Sequence, residues 1–499
     1  MSDRRPNILC FVTDQLRADH LGCYGNSQVS TPNINSLASE GILFTESYVA
    51  NPVCMPNRAS FFTGQFPKVH GVRENGIALS PNQNTLPKIL SDAGYQTASI
   101  GKLHLAPFGT KRESVRSDWE LYESKEFWDS GGDIPRPFYG FEDVCLVDGH
   151  GPYVFGHYKR WLDANFPHAY EKLSITHALE PPTGARECWK ASIQPELHYN
   201  TFIADRTIEW LRRRNTDKPF FLWCSFPDPH HPYSPPRPYC DMYKPSDIDF
   251  HPARREGELD DLPEYFRLSY EGALVTGGLR GDLRKTTDDH YREIIALTYG
   301  MITMVDHQIG RIIAELQQQS LLDNTIIVFL SDHGDLMGDH WLINKGPYLY
   351  RGLVRVPTIW RMPGAANSGS VCDALVSAVD LCPTLLDLVG LPIPEEVQGF
   401  SYRRLLEGEQ LSIRDAVYIE FDETYIGDRL RSIRTKEWAL TAHANRTDGL
   451  LFDLKNDPRE LYNLWNEPKF ESVKSVLLFE LFRQTAKADS WLPAKLSHA

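Results

Sequence analysis

Four short apolar runs along the chain each end in polar or charged residues. The runs are NILCFV (7–12), TASI (97–100), PFFLWCSF (219–226) and NTIIVFL (324–330). Continuous apolar segments of this length, rich in Ile, Val and Phe, are typical of parallel strands that are buried on both faces. The sequence therefore predicts four buried strands, with Asp, His or Lys side chains just beyond the carboxyl end of each.

Helical patterns separate these runs. Apolar residues recur three and four positions apart over 33–42, 85–95, 199–214 and 291–320. Strands and helices that alternate in this way predict an α/β sandwich with a mostly parallel central sheet. In such sheets the ligand site lies beyond the carboxyl ends of the strands, where this chain places its polar groups.

The pattern changes near residue 395. AVYIEFD, RSIRTKEWALTAH and GLLFDL read as short alternating strands, and a helix follows over 469–487. We therefore predict an α/β domain over 1–394 and a smaller C-terminal α+β subdomain with an antiparallel sheet over 395–499. The apolar face of the last helix is expected either to dock on that sheet or to form a homo-oligomer, because an exposed apolar stripe is costly.

Two long stretches, 106–200 and 232–290, are rich in Gly, Pro and aromatic residues and show little periodicity. Long loops inside a compact domain usually serve a function. We expect both insertions to wall the pocket and to select the substrate. Five aromatic residues either stack on a sugar or aryl ring or pack the insertion's own core: Trp128, Tyr139, Tyr153, Phe155 and Trp161.

Charge and composition narrow the class of partner. The 499 residues carry a net charge of −14, which argues against nucleic acid or an anionic membrane as partner. No uninterrupted apolar window is long enough for a membrane helix, and the first residues do not match a signal peptide. The expected location is cytoplasmic.

Acidic residues at two of the strand ends indicate a metal site. Asp14 and Gln15 follow the first run, and Asp332 and His333 follow the last. Oxygen-rich ligand sets with one nitrogen suit Ca²⁺, Mg²⁺ or Mn²⁺ better than zinc. The sequence predicts one divalent cation, with Ca²⁺ favoured. The alternative for Asp332 alone is a turn cap.

Cationic residues and a cysteine complete the set. Arg58, Lys102, His104, His230 and Lys345 follow the strand ends or lie in the loops after them. Together with a metal they would bind an oxyanion and stabilise the charge of a breaking ester bond, which indicates sulfate or phosphate ester substrates.

Cys54 is one of nine scattered cysteines, none in a CxxC pair. For most of them a buried thiol is the simplest interpretation, and half of a disulfide is the other. Cys54 instead lies in the polar, proline-rich segment NPVCMPNR at the start of a predicted helix. A helix N-terminus lowers a thiol pKa and attracts anions, so Cys54 is a candidate nucleophile.

At this point the motifs resemble a known family. CMPNR (54–58) matches the C-x-P-x-R signature of sulfatases, and GKLHL (101–105) resembles their Lys-x-His motif. SDHGDLMGDHWLINKGPYLYRGLVRVP (331–357) is similar to their second metal half-site, and LFDLKNDPRELYNL (451–464) to their C-terminal signature. The chain resembles formylglycine-dependent sulfatases of the alkaline phosphatase superfamily over nearly its whole length.

The resemblance implies an alkaline-phosphatase-like fold and hydrolysis of a sulfate monoester, R-O-SO3 to R-OH plus sulfate. It also implies that a maturation enzyme converts Cys54 to formylglycine. In the hydrated aldehyde one hydroxyl attacks the ester, and the second expels sulfate and re-forms the aldehyde. A plain thiol cannot do this.

The resemblance further implies a role for each matching residue. The metal ligands would be Asp14, Gln15, Cys54, Asp332 and His333. Arg58 would hold the formylglycine environment, Lys102 the anion, and His104 the hydroxyl that drives release. His230, with His231 as the neighbouring alternative, and Lys345 would contact the leaving group, and Asn75 would point into the pocket.

Two departures from the family pattern leave alternatives open. Many sulfatases have Asp-Asp where this chain has Asp14-Gln15, whereas phosphonate monoester hydrolases and some sulfatases have Asp-Gln. His333 stands where other members have Asn. A phosphonate monoester or phosphodiester hydrolase with the same site is therefore one alternative. A non-catalytic oxyanion-binding protein is another, if Cys54 stays a thiol.

Overall fold

The computed structural model describes residues 5–274, 281–365 and 367–489. The strands of these residues are β1 Asn7–Thr13, β2 Ile42–Phe44, β3 Ser47–Tyr48, β4 Gln96–Gly101, β5 Asp143–Asp148, β6 Phe155–Gly156, β7 Phe220–Ser225, β8 Thr325–Ser331, β9 Thr358–Arg361, β10 Ser370–Cys372, β11 Val376–Ser377, β12 Val417–Glu423, β13 Asp428–Arg434, β14 Trp438–His443 and β15 Gly449–Asp453. The helices are α1 Pro32–Ser39, α2 Cys54–Thr63, α3 Pro67–His70, α4 Leu86–Asp92, α5 Lys125–Asp129, α6 His157–Asn165, α7 Tyr199–Arg213, α8 Glu264–Tyr270, α9 Asp288–Gln318, α10 Arg351–Val354, α11 Leu381–Leu388, α12 Arg403–Leu406 and α13 Glu471–Lys487.

A nine-stranded sheet forms the centre of the molecule, in the order β10-β2-β9-β8-β1-β7-β4-β5-β6. The four predicted strands are its adjacent members β8, β1, β7 and β4, and they pair in parallel. Strands β9 and β6 run antiparallel to their neighbours. The predicted mostly parallel sheet is confirmed, and the carboxyl ends of its four central strands meet at one edge.

Both faces of the sheet are covered, which explains the uninterrupted apolar runs. In β1 the side chains of Leu9 and Phe11 belong to one core layer, and those of Ile8, Cys10 and Val12 belong to the other. The first layer includes α7 and α9, and the second includes α2 and α11. A strand that is buried on both sides has no polar face, so its sequence shows no alternation.

One predicted helix ends earlier than its pattern suggested. The helix expected over 33–42 stops at Ser39, and Ile42 begins strand β2. Between them Gly41 lies so close to the next strand that an added Cβ would stand 2.3 Å from the carbonyl oxygen of Trp360. The close approach of β2 to β9 therefore ends the helix, despite the apolar spacing that continues through it.

The C-terminal part contains the predicted four-stranded antiparallel sheet, in the order β12-β13-β14-β15. Helix α13 packs on this sheet and buries Leu477 and Leu481. Val476, Phe479 and Phe482 on the same helix remain exposed. The α+β architecture is confirmed, whereas the domain boundary at residue 394 remains a prediction. None of the described helices combines the length and the apolar character needed to span a membrane.

Candidate active site

The polar groups that follow the central strands converge around the first residue of helix α2. Asp14 follows β1, Asp332 follows β8, and Cys54 starts α2, all of whose residues are buried. The ligand atoms of Asp14, Cys54, Asp332 and His333 all lie within 4.8 Å of one another. The parallel pairing of β1 with β8 creates this proximity, because residues more than 300 positions apart in sequence leave the sheet side by side.

The Cys54 thiol lies in a polar environment. Its Sγ is 2.8 Å from Lys345 Nζ, 3.2 Å from His333 Nε2 and 3.8 Å from Asp14 Oδ1. Burial and the Asp14 carboxylate raise its pKa, but Lys345, Lys102 and His333 outweigh them, so the net pKa lies below the ordinary value. None of the nine cysteines forms a disulfide. The interpretation of Cys54 as half of a disulfide is therefore wrong, and a thiol in an apolar core does not fit these polar neighbours.

Arg58 contacts the carboxylates of both Asp14 and Asp332. Its side chain is fully buried, with Nε donating to Asp332 Oδ2 at 2.7 Å and Nη2 lying 3.5 Å from Asp14 Oδ2. Nη1 donates to the carbonyl of Lys102 and to Ser225 Oγ. A guanidinium with fixed donors is suited to holding two carboxylates in register. Arg58 therefore orders the site from behind rather than facing the pocket.

The donor set fits a hard divalent cation. Gln15 has a left-handed backbone (φ 65°), and its Nε2 donates to Asp335 Oδ2 at 2.5 Å and contacts His231 Nδ1 at 3.0 Å. With the amide nitrogen fixed in this way, Gln15 Oε1 is buried and has no hydrogen-bond partner among the described residues. Gln15 follows Asp14, and its backbone amide donates to Asp332 Oδ1 at 3.1 Å, so its unpartnered amide oxygen suits a calcium-type ligand shell.

Lys102 lies deeper than its expected role suggested. Its side chain is fully buried, and Nζ contacts both the Asp14 carboxylate and His150 Nε2. The Asp14 pKa lies well below its usual range because Lys102 and His230, with the hydrogen bond from His150, outweigh the effect of burial. Lys102 thus neutralises Asp14 in this structure, and any contact with a bound anion would be made from that position.

His104 projects from the loop after β4 in a left-handed conformation (φ 58°). Its ring stacks on Phe108 with centroids 3.7 Å apart, and its Nδ1 is buried without a hydrogen-bond partner among the described residues. Burial and the nearby Lys102 hold its pKa well below the ordinary value. The imidazole is therefore neutral near pH 7 and can accept a proton.

The same loop rests on two buried carboxyl groups. Glu123 Oε1 accepts hydrogen bonds from the amides of Leu105 and Ala106, each at 2.9 Å. Asp148 Oδ1 accepts from the amide of Leu103 at 3.2 Å. Burial and its neighbour Asp148 raise the pKa of Glu123 well above its usual range, and burial raises the pKa of Asp148 to about 6. The pair therefore retains a proton at neutral pH.

His230 and Lys345 form the opposite wall. Lys345 Nζ lies 3.0 Å from His230 Nε2, and His230 Nδ1 contacts the carbonyl of His231. Burial, followed by His150 and Lys345, depresses the pKa of His230 well below its usual value. Lys345 Nζ also lies 2.9 Å from His333 Nε2, whereas His231 contacts Gln15. Of the two sequence candidates, His230 is therefore the one next to Lys345, which in turn contacts Cys54.

These groups open into a pocket of about 350 Å³. Its lining residues are Cys54, Asn75, His104, Phe108, His150, Arg186, Glu187, His230, His231 and Lys345. Asn75 Oδ1 also accepts a hydrogen bond from the amide of Met55 and so caps helix α2.

The comparisons agree with this geometry. A family model described as Sulfatase matches residues 6–391, and a model of the C-terminal region of N-sulphoglucosamine sulphohydrolase matches residues 338–487. An arylsulfatase from Clostridium perfringens is 32% identical over 499 residues, which cover 96% of this chain and 94% of that protein. The chain belongs to the sulfatase family. Members of this family are sulfuric ester hydrolases.

Two further relatives of this sulfatase differ in the substrates that their names state. An N-acetylglucosamine-6-O-sulfatase from Bacteroides thetaiotaomicron is 28% identical, covering 97% of this chain and 87% of that protein. The crystal structure of a phosphonate monoester hydrolase of Agrobacterium radiobacter matches with a TM-score of 0.82 and 29% identity, covering 97% of this chain and 96% of that chain. The alkaline-phosphatase-like fold is thereby confirmed.

The sequence interpretation of this sulfatase missed four lining residues: Phe108, His150, Arg186 and Glu187. All of them lie in the 106–200 insertion, which was expected to wall the pocket. His150 is two residues beyond strand β5, so the rule that placed the other groups after strands would have found it, had DVCLVD been recognised as a strand. Nothing local distinguishes the other three.

The second insertion and the five candidate aromatic residues lie elsewhere. No described residue of 232–290 lines this pocket, and none of Trp128, Tyr139, Tyr153, Phe155 and Trp161 does. Trp128 and Phe155 are buried in the core layer that contains α2. These two therefore neither line the pocket nor pack a separate core of the insertion, because they belong to a core layer of the central sheet. The aromatic ring that does face the pocket, Phe108, was not among the candidates.

Proposed function

We propose that the protein hydrolyses a sulfate monoester with a formylglycine nucleophile made from Cys54 and one divalent cation, with Ca²⁺ favoured. The observation that carries the proposal is the position of Cys54, at a buried helix start between Asp14, His333 and Lys345. The hydrated aldehyde would offer one hydroxyl to attack sulfur and a second to release sulfate. Water enters the cycle when the aldehyde is hydrated again.

Asp14, Gln15, Asp332 and His333 would hold the cation together with residue 54. When bound, the cation lowers the pKa of the attacking hydroxyl and polarises the ester. Lys102 keeps the Asp14 carboxylate ionised, and Arg58 holds the carboxylates of Asp14 and Asp332 in place. Without Lys102, burial would favour the protonated carboxyl of Asp14, which is a poor ligand.

Lys345 and His230 would assist the departure of the leaving group. Lys345 Nζ stands 2.8 Å from Cys54 Sγ and 3.0 Å from His230 Nε2, so it can contact both the sulfate oxygens and the departing oxygen. The ester oxygen gains negative charge as its bond to sulfur breaks, and the ammonium of Lys345 stabilises that charge or protonates it. The neutral imidazole of His230 holds the ammonium in place.

His104 is suited to the second half of the cycle. Its neutral imidazole, with an unpartnered Nδ1, can take the proton of the hydroxyl that expels sulfate. Stacking on Phe108 and the left-handed backbone fix the ring, so the base does not have to be ordered during the reaction.

Hydrolysis of a phosphonate monoester or phosphodiester is the second candidate, because Gln15 replaces a carboxylate and makes the site less anionic. The phosphonate monoester hydrolase that shares this fold supports it. The pair Lys102 and His104 favours the sulfate ester. A saccharide sulfate is a reasonable substrate class, since a relative of similar length is named for 6-O-sulfated N-acetylglucosamine.

A side-by-side assay separates these functions. Protein matured with a formylglycine-generating enzyme is given an aryl sulfate, a phosphonate monoester and a phosphate diester, and Cys54→Ala serves as control. We expect the highest kcat/KM for the sulfate and none for the variant. Intact-mass measurement must show the loss of mass that accompanies conversion of the thiol to the aldehyde. An unmodified Cys54 in protein from the native host would instead favour the oxyanion-binding alternative.

A further inference from the structure

We propose that Arg186 binds a second anionic group of the substrate, a carboxylate or a second sulfate, next to the sulfate ester that is hydrolysed. The proposal rests on the proposed sulfate-ester hydrolysis and adds the substrate class, which is a polyanionic ester. Arg186 lines the same pocket as Cys54 and Lys345 but belongs to the 106–200 insertion.

Among the described residues Arg186 has only a loose ion pair, with Glu187. Its side chain is 23% exposed, and its Nε is buried with no hydrogen-bond partner among the described residues. The nearest carboxylate oxygen, Glu187 Oε2, is 3.9 Å from Nε, which is beyond hydrogen-bonding distance. A buried donor without a partner costs free energy, so this guanidinium is available to a ligand in the pocket.

The backbone holds Arg186 at a fixed place relative to the reacting groups. The Tyr233 amide donates to the carbonyl of Glu187 at 2.7 Å, and the Trp189 amide donates to the carbonyl of Tyr233 at 3.2 Å. Cys188 and Tyr233 form a parallel bridge. The segment that carries Arg186 is thus paired with the residues just after His230 and His231.

The reacting sulfate does not need Arg186. Lys345 and His230 lie beside Cys54, and Lys102 lies beside Asp14, so cations already surround the position of the monoanionic ester. Among the contacts of the described residues, Arg186 makes no hydrogen bond to Cys54 or Lys345. A planar guanidinium pairs with two oxygens of a carboxylate or sulfate, which gives it both affinity and selectivity for that group.

Matched substrate pairs test this assignment. One pair is N-acetylglucosamine 6-sulfate and D-glucosamine-2-N,6-O-disulfate, and the other is phenyl sulfate and 3-carboxyphenyl sulfate. The readout is the ratio of kcat/KM within each pair, for the wild type and for Arg186→Gln, because comparing ratios cancels the intrinsic reactivity of the esters. We expect the variant to lower the ratio by about tenfold or more in at least one pair, mainly through KM.

The pair that responds identifies the anion: the disulfate indicates a second sulfate, and the carboxyphenyl ester indicates a carboxylate. Arg186→Lys keeps the positive charge but cannot pair with two oxygens at once, so its kcat/KM ratio should lie between those of Arg186→Gln and the wild type. Arg116→Gln, an exposed arginine of the same insertion, is the control and should leave both ratios unchanged. Active enzyme whose ratios do not change in Arg186→Gln overturns the assignment. If the wild type cleaves none of the four sulfates, the proposed function itself is overturned.

Discussion

Asp14 lies closest to most of the charged groups of the site. Its carboxylate contacts Lys102, lies 3.5 Å from Arg58 Nη2 and lies 3.6 Å from His150 Nε2. Together Asp14 and Asp332 bring two negative charges into a fully buried position, and Arg58 and Lys102 balance them. Removing one member leaves an uncompensated buried charge, which is more damaging than removing the whole group.

Asp332→Ala should abolish turnover. The substitution removes a proposed cation ligand and leaves the buried Arg58 without its 2.7 Å partner. We expect kcat/KM to fall by about a thousandfold or more. Asp323→Ala, an exposed residue at the opposite end of strand β8, is the control and should retain full activity. Measurable turnover close to the wild type in Asp332→Ala would contradict the proposed metal site.

His104→Ala should separate attack from release. The nucleophile can still attack, but without the neutral imidazole the hydroxyl that expels sulfate keeps its proton. We expect turnover to fall by about a hundredfold to ten-thousandfold, with a sulfate group retained on residue 54. Intact-mass measurement after brief exposure to an aryl sulfate checks this. Loss of activity without any retained sulfate would assign His104 to substrate binding or attack.

At the scale of elements, the loop after β4 is held by Glu123 and Asp148 from the insertion. Three backbone amides of Leu103, Leu105 and Ala106 bond to these buried carboxyls, and the side chains of Lys102 and His104 point from the same loop. The insertion therefore positions the loop that carries Lys102 and His104, as well as lining the pocket. Strand β4 places this loop at the carboxyl edge of the sheet, and the pair Glu123 and Asp148 fixes the conformation of the loop.

Glu123→Gln should be tolerated and Glu123→Ala should not. Glutamine keeps the acceptor for the amides of Leu105 and Ala106, and its N–H replaces the proton that the pair retains. At about pH 4, where the glutamate of the unfolded chain is also mostly protonated, we expect Glu123→Gln to change the free energy of unfolding by less than about 1 kcal/mol. At neutral pH the variant should be more stable than the wild type, which has to take up a proton on folding. Glu123→Ala orphans two buried amides and should cost about 2–4 kcal/mol and most of the activity. Chemical denaturation and kinetic assays check both. Equal loss in the two variants would contradict the protonated pair.

Asp148 should make stability depend on pH in a characteristic direction. Its pKa is raised to about 6 in the folded state, so the folded protein holds a proton that the unfolded chain has lost. The stability that this retained proton contributes is fully present below about pH 4 and is lost as the pH rises through about 6. Asparagine has no proton to lose, so the free energy of unfolding of Asp148→Asn should rise relative to that of the wild type, by up to about 3 kcal/mol, as the pH increases from about 4 to above 6. Denaturation curves at several pH values check this, and a difference that is constant with pH would contradict it.

At the scale of the whole molecule, the proposed cation joins residues that are far apart in sequence. Asp14 and Asp332 are separated by more than 300 positions, so a cation between them would bind the folded state only. Free Ca²⁺ at a hundred times its Kd should stabilise the protein by about 2.7 kcal/mol. Thermal denaturation with Ca²⁺ and with chelator measures this. Asp332→Ala should lose the response to Ca²⁺, and an unchanged response would place the cation elsewhere.

Much of the fold followed from the sequence because its signals are local. The four apolar runs correspond to strands β1, β4, β7 and β8, and the predicted amphipathic segments correspond to helices between them. The polar residues after these runs were placed together correctly, since parallel strands share one carboxyl edge. Cys54 and the two half-sites were recognisable from their motifs. These features depend on periodicity and on short spacings, which a sequence displays directly.

Only the tertiary structure decided the parts that depend on distant neighbours. His150, Phe108 and Arg186 reach the pocket because the insertion folds back over the sheet edge, and no local pattern marks them. Lys102 is sunk against Asp14 rather than exposed to the pocket, and helix α1 stops where β2 must approach β9. The reason is that burial, charge pairing and close approach are properties of three-dimensional neighbours. The sequence determined which groups could act, and the packing of the insertion against the sheet determined which of them meet.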